Sequence, residues 1–298
     1  MIASVYVSIN RLDDLRSDDA RQADGIGLVR TELLFPDYED EPSPDEQAEV
    51  YRQILEQSPG ETVVFRAFDG GGDKMLKFLG EDEASLSIPA RGIRRLLSNE
   101  GVLRRQLAGI AMAAKHSVKR VSVTGPMINT LEEASWFASL VTHVGLVPGA
   151  TVETPAGCIS IPDILSCVEL VSIGTNDLAQ YMFAADRSDE SAGDLLDPWQ
   201  PAFVRGMHLA ITSAPSDRLS VCGMAVDDPI FAATCIGSGA STVVVSPGSV
   251  VTVKSFLRAH TRSDLARMSC RALAGLNPAS SRLAAVLDDI DFVEYSWG

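Results

Sequence analysis

No stretch of this sequence approaches the ~18 consecutive apolar residues that a membrane-spanning helix needs. Its first residues, MIASVYVSINRLDDLR, lack the charged-then-apolar pattern and small-residue cleavage site of a secretory leader. The chain is therefore expected to start at or near Met1 and to work in the cytoplasm, away from membranes. Cysteine is scarce and odd in number: Cys158, Cys167, Cys222, Cys235 and Cys270 lie far apart with no CxxC pair. That argues against a disulfide scaffold or a structural zinc site and for a reducing compartment. Positive charge is also short, with 25 Lys and Arg against 40 Asp and Glu, a net charge of -15. No basic cluster relieves it, so nucleic acid is not expected as a partner. No Pro/Ser-rich linker, repeat or low-complexity tract divides the 298 residues.

What is present is an alternation of short β-branched runs with helical stretches, the pattern of parallel βα units. Strands are expected at Val5 to Ile9, Ile26 to Val29, Thr62 to Arg66, Arg120 to Thr124, Ala150 to Glu153, Glu169 to Ile173, Leu219 to Cys222 and Thr242 to Val245. Helical patterns occupy Leu12 to Gln22, Asp45 to Gln57, Arg91 to Lys115, Leu131 to His143, Ile159 to Cys167, Pro201 to Ala214, Asp228 to Ser238 and Val250 to Thr261. Eight strands, each followed by helix, predict an α/β fold of the (β/α)8 TIM-barrel type, ahead of a doubly wound sheet. The barrel is expected over about residues 1 to 261. Two further helical pieces, Asp264 to Ala274 and Ser280 to Ile290, fall in a tail over 262 to 298 that packs on it, all within one domain.

Barrel chemistry sits at the C-terminal ends of strands, and reactive residues cluster there: Arg30 after strand two, Arg66 after strand three, Glu153 after strand five, Asn176 and Asp177 after strand six, Cys222 after strand seven. Glu153 and Asp177 suit one hard cation, Mg2+ or Mn2+, whose other positions go to water and substrate. The alternative is that Glu153 is a strand-end surface charge and Asp177 an N-cap for a following turn. Arg30, Arg66, Arg91 and Arg187 suit an anion with more than one negative group, because guanidinium forks match carboxylate and phosphate. Cys222, followed by glycine in SVCGMA, is expected to present its sulfur as a proton donor or nucleophile, although an inert cysteine fits the same pattern. Cys158, Cys167 and Cys235, on apolar helical faces, read as buried and inert, and the four histidines, His116, His143, His208 and His260, as structural or surface residues.

Together these residues resemble the phosphoenolpyruvate-binding barrel shared by enzyme I of the bacterial sugar phosphotransferase system, pyruvate phosphate dikinase and phosphoenolpyruvate synthase. Enzyme I is the nearest match. The resemblance runs in order through DGIGLVRTELLF, FRAFDGGGDK, RGIRRLL, GPMINTLEEA, TVETPAG, SIGTNDLAQYMFAADR, CGMAVDDP and SPGSV, covering nearly the whole chain. It implies that Arg30, Arg66 and Arg187, with Arg91 assisting and Asn176 bonding a phosphate oxygen, hold phosphoenolpyruvate. It further implies that Glu153 and Asp177 hold Mg2+ (or Mn2+), and that Cys222 moves the proton at the methylene carbon. The activity implied is transfer of the phosphoryl group of phosphoenolpyruvate to a histidine, releasing pyruvate, by a cytoplasmic homodimer.

Departures from the family pattern also stand out. These residues hold no phosphohistidine swivelling domain, so the acceptor is expected to be a separate protein or domain. The family's CGE is CGM here, with Met224 in place of the acid, Gly70 replaces an apolar residue, and the segment between Glu133 and Glu153 is short. Two alternatives therefore stand beside phosphotransfer. One is a lyase or aldolase working through pyruvate enolate, and the other is a non-catalytic module that senses phosphoenolpyruvate or pyruvate.

Overall fold

The computed structural model describes residues 3–286, apart from 36, 37, 39, 71–77, 79–90, 187 and 188. Eight parallel strands close into a barrel in sequence order, β1 (Ser4–Ile9), β2 (Ile26–Arg30), β3 (Thr62–Arg66), β4 (Arg120–Gly125), β5 (Val147–Val152), β6 (Leu170–Gly174), β7 (Leu219–Cys222) and β8 (Thr242–Val245), with β8 pairing back onto β1. The helices are α1 (Pro44–Gln57), α2 (Ile93–Ser98), α3 (Glu100–Ala114), α4 (Leu131–His143), α5 (Pro155–Ile159), α6 (Ile161–Ile164), α7 (Thr175–Phe183), α8 (Pro201–Thr212), α9 (Pro229–Ser238), α10 (Val250–Arg258), α11 (Arg262–Leu273) and α12 (Pro278–Val286). None of them, among the described residues, is long and apolar enough to cross a membrane.

Local chemistry explains where helices begin. Ser43 and Thr130 form capping boxes with Glu46 and Glu133, and Pro44 and Pro155 occupy first helical positions whose N–H would have no partner anyway. Thr154 accepts the Gly157 N–H to start α5 right after β5.

Four expectations change. The stretch from Leu12 to Gln22 is two short 3-10 turns, Leu12–Arg16 and Ala20–Gln22. Its Asp and Ser side chains compete for the backbone, and the Asp14 carboxylate takes the N–H groups of Asn10 and Arg11. The helix drawn from Arg91 to Lys115 breaks at Asn99, which is extended in φ, donates from Nδ2 to the Arg95 carbonyl in the last turn of α2 at 3.0 Å, and offers α3 no side-chain cap. The helix after β5 starts at Pro155 rather than Ile159 and is interrupted at Ser160. Finally, α7 springs directly from β6, where the polar run Thr-Asn-Asp reads as a turn. The last tail helix is described to Val286, and residues beyond it lie outside the described set.

Outward side chains of the strands join the helices in one continuous apolar core that includes Val7, Phe65, Val123, Val171, Ile173, Val221 and Val243. A second, small cluster of Leu28, Cys222 and Val244 with Tyr6 sits inside the barrel. Gly27 fits there because a Cβ at that position would come within 2.4 Å of Val244.

Candidate active site

β2 and β3 are in register at their ends, so Arg30 and Arg66 leave the sheet side by side. Arg66 is buried, with its Nη2 against Glu32 Oε1 and 3.1 Å from Asp69 Oδ2. Burial works against its charge, but the carboxylates of Glu32, Asp69 and Glu153 outweigh it and hold the guanidinium firmly protonated. The Nε atoms of both Arg30 and Arg66 are buried without a hydrogen-bonding partner among the described residues. Buried donors of this kind are normally satisfied, so these two are suited to an incoming acceptor.

Glu153 is the residue just past β5, not the last of the strand, and is buried. Its Oε1 accepts the Met127 N–H at 3.2 Å. Met127 has φ of 52°, a left-handed conformation uncommon for a side chain of this size, which turns that amide toward the carboxylate. On its other side Glu153 lies against Gly174, where a Cβ would come within 2.8 Å of Oε2. The glycine thus makes room for a carboxylate at the very start of α7. Asp177 lies in the first turn of that helix.

Arg91 donates from Nη1 to the Tyr181 hydroxyl at 3.3 Å. Burial opposes its charge, and Tyr181, Asp177 and Asp69 raise its pKa above the ordinary value, which places it within electrostatic reach of both carboxylates. Gly223, at φ of 110°, folds the turn after β7 onto α7, and a Cβ there would meet Thr175 Oγ1 at 2.2 Å. That contact lets Asn176 Oδ1 accept the Met224 N–H at 2.9 Å. The amide nitrogen of Asn176 is the end with the donor chemistry a phosphate oxygen requires.

Cys222 closes the group. Rather than presenting its sulfur to solvent, it is 4% exposed and packs inside the barrel on Leu28 and Val244. Burial pushes the thiol up. Ser172 pulls it back, Glu153 raises it, and Arg30 and Arg66 lower it. The same thiol therefore feels Glu153 and both arginines, so these four sequence-predicted residues gather at one mouth of the barrel, with Asp177, Asn176 and Arg91 around them. Arg187 lies outside the described residues. Sequence reasoning passed over Glu32, Asp69, Met127, Ser172 and Tyr181. Glu32 directly follows Arg30-Thr31 and Asp69 opens the glycine run, but nothing local marks the others. A cavity of about 600 Å³ beside the exit of β1, lined by Asn10, Leu33 and Leu34 among others, includes none of these groups.

A metal fits the arrangement in one respect: the Gly174 cradle brings the Glu153 carboxylate to the helix that carries Asp177. Among the described residues no three His, Cys, Asp or Glu side chains converge. The protein would thus supply two carboxylates and leave the other positions to oxygen ligands.

Comparison with known proteins bears on the same residues. The family model described as PEP-utilising enzyme, PEP-binding domain matches residues 2–262. A phosphoenolpyruvate-protein phosphotransferase of Streptomyces coelicolor is 38% identical over 269 residues, 88% of this chain and 48% of that protein. One from Haloferax volcanii is 34% identical over 90% of this chain and 51% of its own length. A multiphosphoryl transfer protein of Rhodobacter capsulatus is 33% identical over 87% of this chain and 32% of its own. The chain thus spans about half, or a third, of the relatives it matches. From the match along residues 2–262 and the identity shared with these relatives, the chain belongs to the PEP-utilising enzyme family, in the part that forms the PEP-binding domain.

Proposed function

We propose that this barrel binds phosphoenolpyruvate and passes its phosphoryl group to a histidine on a separate protein or domain, releasing pyruvate. The observation that carries the reading is the pair of buried Nε donors on Arg30 and Arg66, set beside Glu153 and the Cys222 thiol. A dianion that also bears a carboxylate meets that donor set, and few neutral ligands would.

In this reading Arg30, Arg66 and Arg187, assisted by Arg91 and the amide of Asn176, hold the phosphate and carboxylate. Glu153 and Asp177 would hold Mg2+ or Mn2+, which when bound offsets charge on the transferring phosphoryl group and on the enolate oxygen. The P–O bond to the enol oxygen breaks as an imidazole nitrogen of the acceptor bonds phosphorus. The enolate left behind takes the Cys222 proton at its methylene carbon, giving pyruvate, and water returns a proton to the sulfur. Arg66 remains charged throughout, because Glu32 and Asp69 hold its proton. A cytoplasmic setting and a homodimer complete the proposal.

The test is calorimetric titration of phosphoenolpyruvate with and without Mg2+. The wild-type chain should bind in a metal-dependent manner, and Asp177→Ala should lose that dependence. Binding by Asp177→Ala that matches wild type would overturn the metal assignment, and absence of wild-type binding would overturn the function.

A further inference from the structure

We infer that Gln106 is a positioning residue that sets the aim of Arg66, holding through a single side-chain amide both segments that carry its carboxylate partners. The inference deepens the anion-binding reading above and rests on it for its ligand.

Gln106 lies on α3, outside the strands, and is fully buried. Its Oε1 accepts the Phe68 N–H at 2.9 Å. Its Nε2 donates to Thr31 Oγ1 at 2.8 Å, and that hydroxyl in turn donates to the Arg66 carbonyl at 2.7 Å. The two groups that contact the Arg66 guanidinium belong to the next residues in each segment: Glu32 follows Thr31, and Asp69 follows Phe68. One amide thus pins the turn after β2 and the exit of β3 to the same point. This takes a side chain with a donor and an acceptor on one planar group, and the glutamine amide has both.

Behind it, Gln106 Nε2 approaches the Tyr51 hydroxyl at 3.5 Å. That hydroxyl donates to Gln47 Oε1 at 3.0 Å, and Gln47 Nε2 donates to the Pro42 carbonyl at 2.8 Å. The hydrogen bonds of this relay anchor Gln106 to α1 and reach neither carboxylate segment, while the Tyr51 ring, which Tyr51→Phe keeps, packs edge-on against Phe65 and Phe35. Without Gln106, the Phe68 N–H would lose its acceptor, Thr31 Oγ1 would keep only its bond to the Arg66 carbonyl, and the two segments would no longer share an anchor, so the Phe68 segment would move to find a partner. The guanidinium would follow its carboxylates, and displacements of about 1 Å at a binding group are costly.

Gln106→Met keeps the shape and removes the bonds, and Tyr51→Phe disturbs the relay while sparing Thr31 and Phe68. In Gln106→Met, amide hydrogen exchange should quicken about tenfold or more in 31–35 and 65–70, with β4 unchanged. The Kd for phosphoenolpyruvate with Mg2+ should weaken roughly 10- to 30-fold. The rate of pyruvate methyl exchange at saturating pyruvate should fall by a smaller factor than the affinity does, since none of the hydrogen bonds of Gln106 reaches Cys222 or the strand that carries it. Tyr51→Phe should leave the Kd within about twofold of wild type. Exchange that quickens evenly around the barrel, or not at all, overturns the inference. Wild-type affinity in Gln106→Met, or equal weakening in Tyr51→Phe, does the same. If the wild-type chain binds no phosphoenolpyruvate, the functional reading has failed, and the exchange pattern alone decides the role of Gln106.

Discussion

Along β6, Val171 and Ile173 face outward into the helices, whereas Ser172 and Gly174 face the lumen; β3 alternates in the same way, Val63 and Phe65 outward against Val64 and Arg66 inward. The outer faces merge with the helices into one apolar layer. The lumen holds Val64, a small apolar cluster of Tyr6, Leu28, Cys222 and Val244, and a set of polar groups. Several of those, among them Ser122 Oγ, Thr124 Oγ1, Arg30 Nε and Arg66 Nε, are buried with no hydrogen-bonding partner among the described residues. Buried polar atoms without partners oppose folding. The outer layer therefore carries the apolar packing of the barrel, and the lumen keeps polar groups that water or a ligand can partner.

The sharpest way to break this contrast is to damage the outer layer, outside the lumen. Phe203, fully buried on α8 with its ring 6.1 Å from that of Phe231, is such a place. Phe203→Ala should cost about 3–5 kcal/mol in denaturant unfolding, while the folded fraction keeps its affinity for phosphoenolpyruvate. A weaker Kd per folded molecule would mean that the two layers are not separable.

Gly174→Ala should show the opposite balance. Its new Cβ would land 2.8 Å from Glu153 Oε2, where the carboxylate must give way. We expect about 1–3 kcal/mol of destabilisation, together with a loss of the metal-dependent part of binding in calorimetry. Retained Mg2+ dependence would move the metal away from Glu153. Milder still, Thr124→Val removes a lumenal hydroxyl that has no partner among the described residues and keeps the shape. Its unfolding free energy should be unchanged or higher by up to about 1 kcal/mol, and a clear loss would show that the hydroxyl is satisfied in solution.

A further effect concerns alkaline pH. Burial pushes the Cys158 thiol up to about 12 and raises that of Cys222 as well. Above the ordinary thiol range the unfolded chain ionises first and binds fewer protons than the folded one, so stability falls as pH rises. Urea midpoints should therefore decline between about pH 9 and 11, less steeply in Cys158→Ala. An equal slope in both proteins would remove that thiol from the account.

The eight strands were legible because a parallel barrel writes them as short β-branched runs spaced by amphipathic helices. Arg30, Arg66, Glu153 and Cys222 were legible because strand ends are where such a fold can place reactive groups. What supports them was not. Glu32 and Asp69 matter only once Arg66 is seen between them, and Met127 only once its left-handed backbone is seen to aim an N–H at Glu153. The start of α7 escaped notice because Gly-Thr-Asn-Asp carries turn chemistry, and here the turn and the helix coincide. The burial of Cys222 is likewise a product of the β7 register with β8, which local sequence does not encode.

The most direct test of the central claim, that the barrel mouth handles phosphoenolpyruvate and the enolate of pyruvate, is exchange of pyruvate methyl protons into deuterated water, followed by proton NMR on this chain with Mg2+. It needs no phosphoryl acceptor. The account predicts exchange by the wild-type chain. Cys222→Ala should lose most of it while still binding phosphoenolpyruvate, because the thiol contributes little to holding a dianion already faced by arginines. Wild-type protein that binds pyruvate and metal without exchange, or exchange that survives in Cys222→Ala, would contradict it.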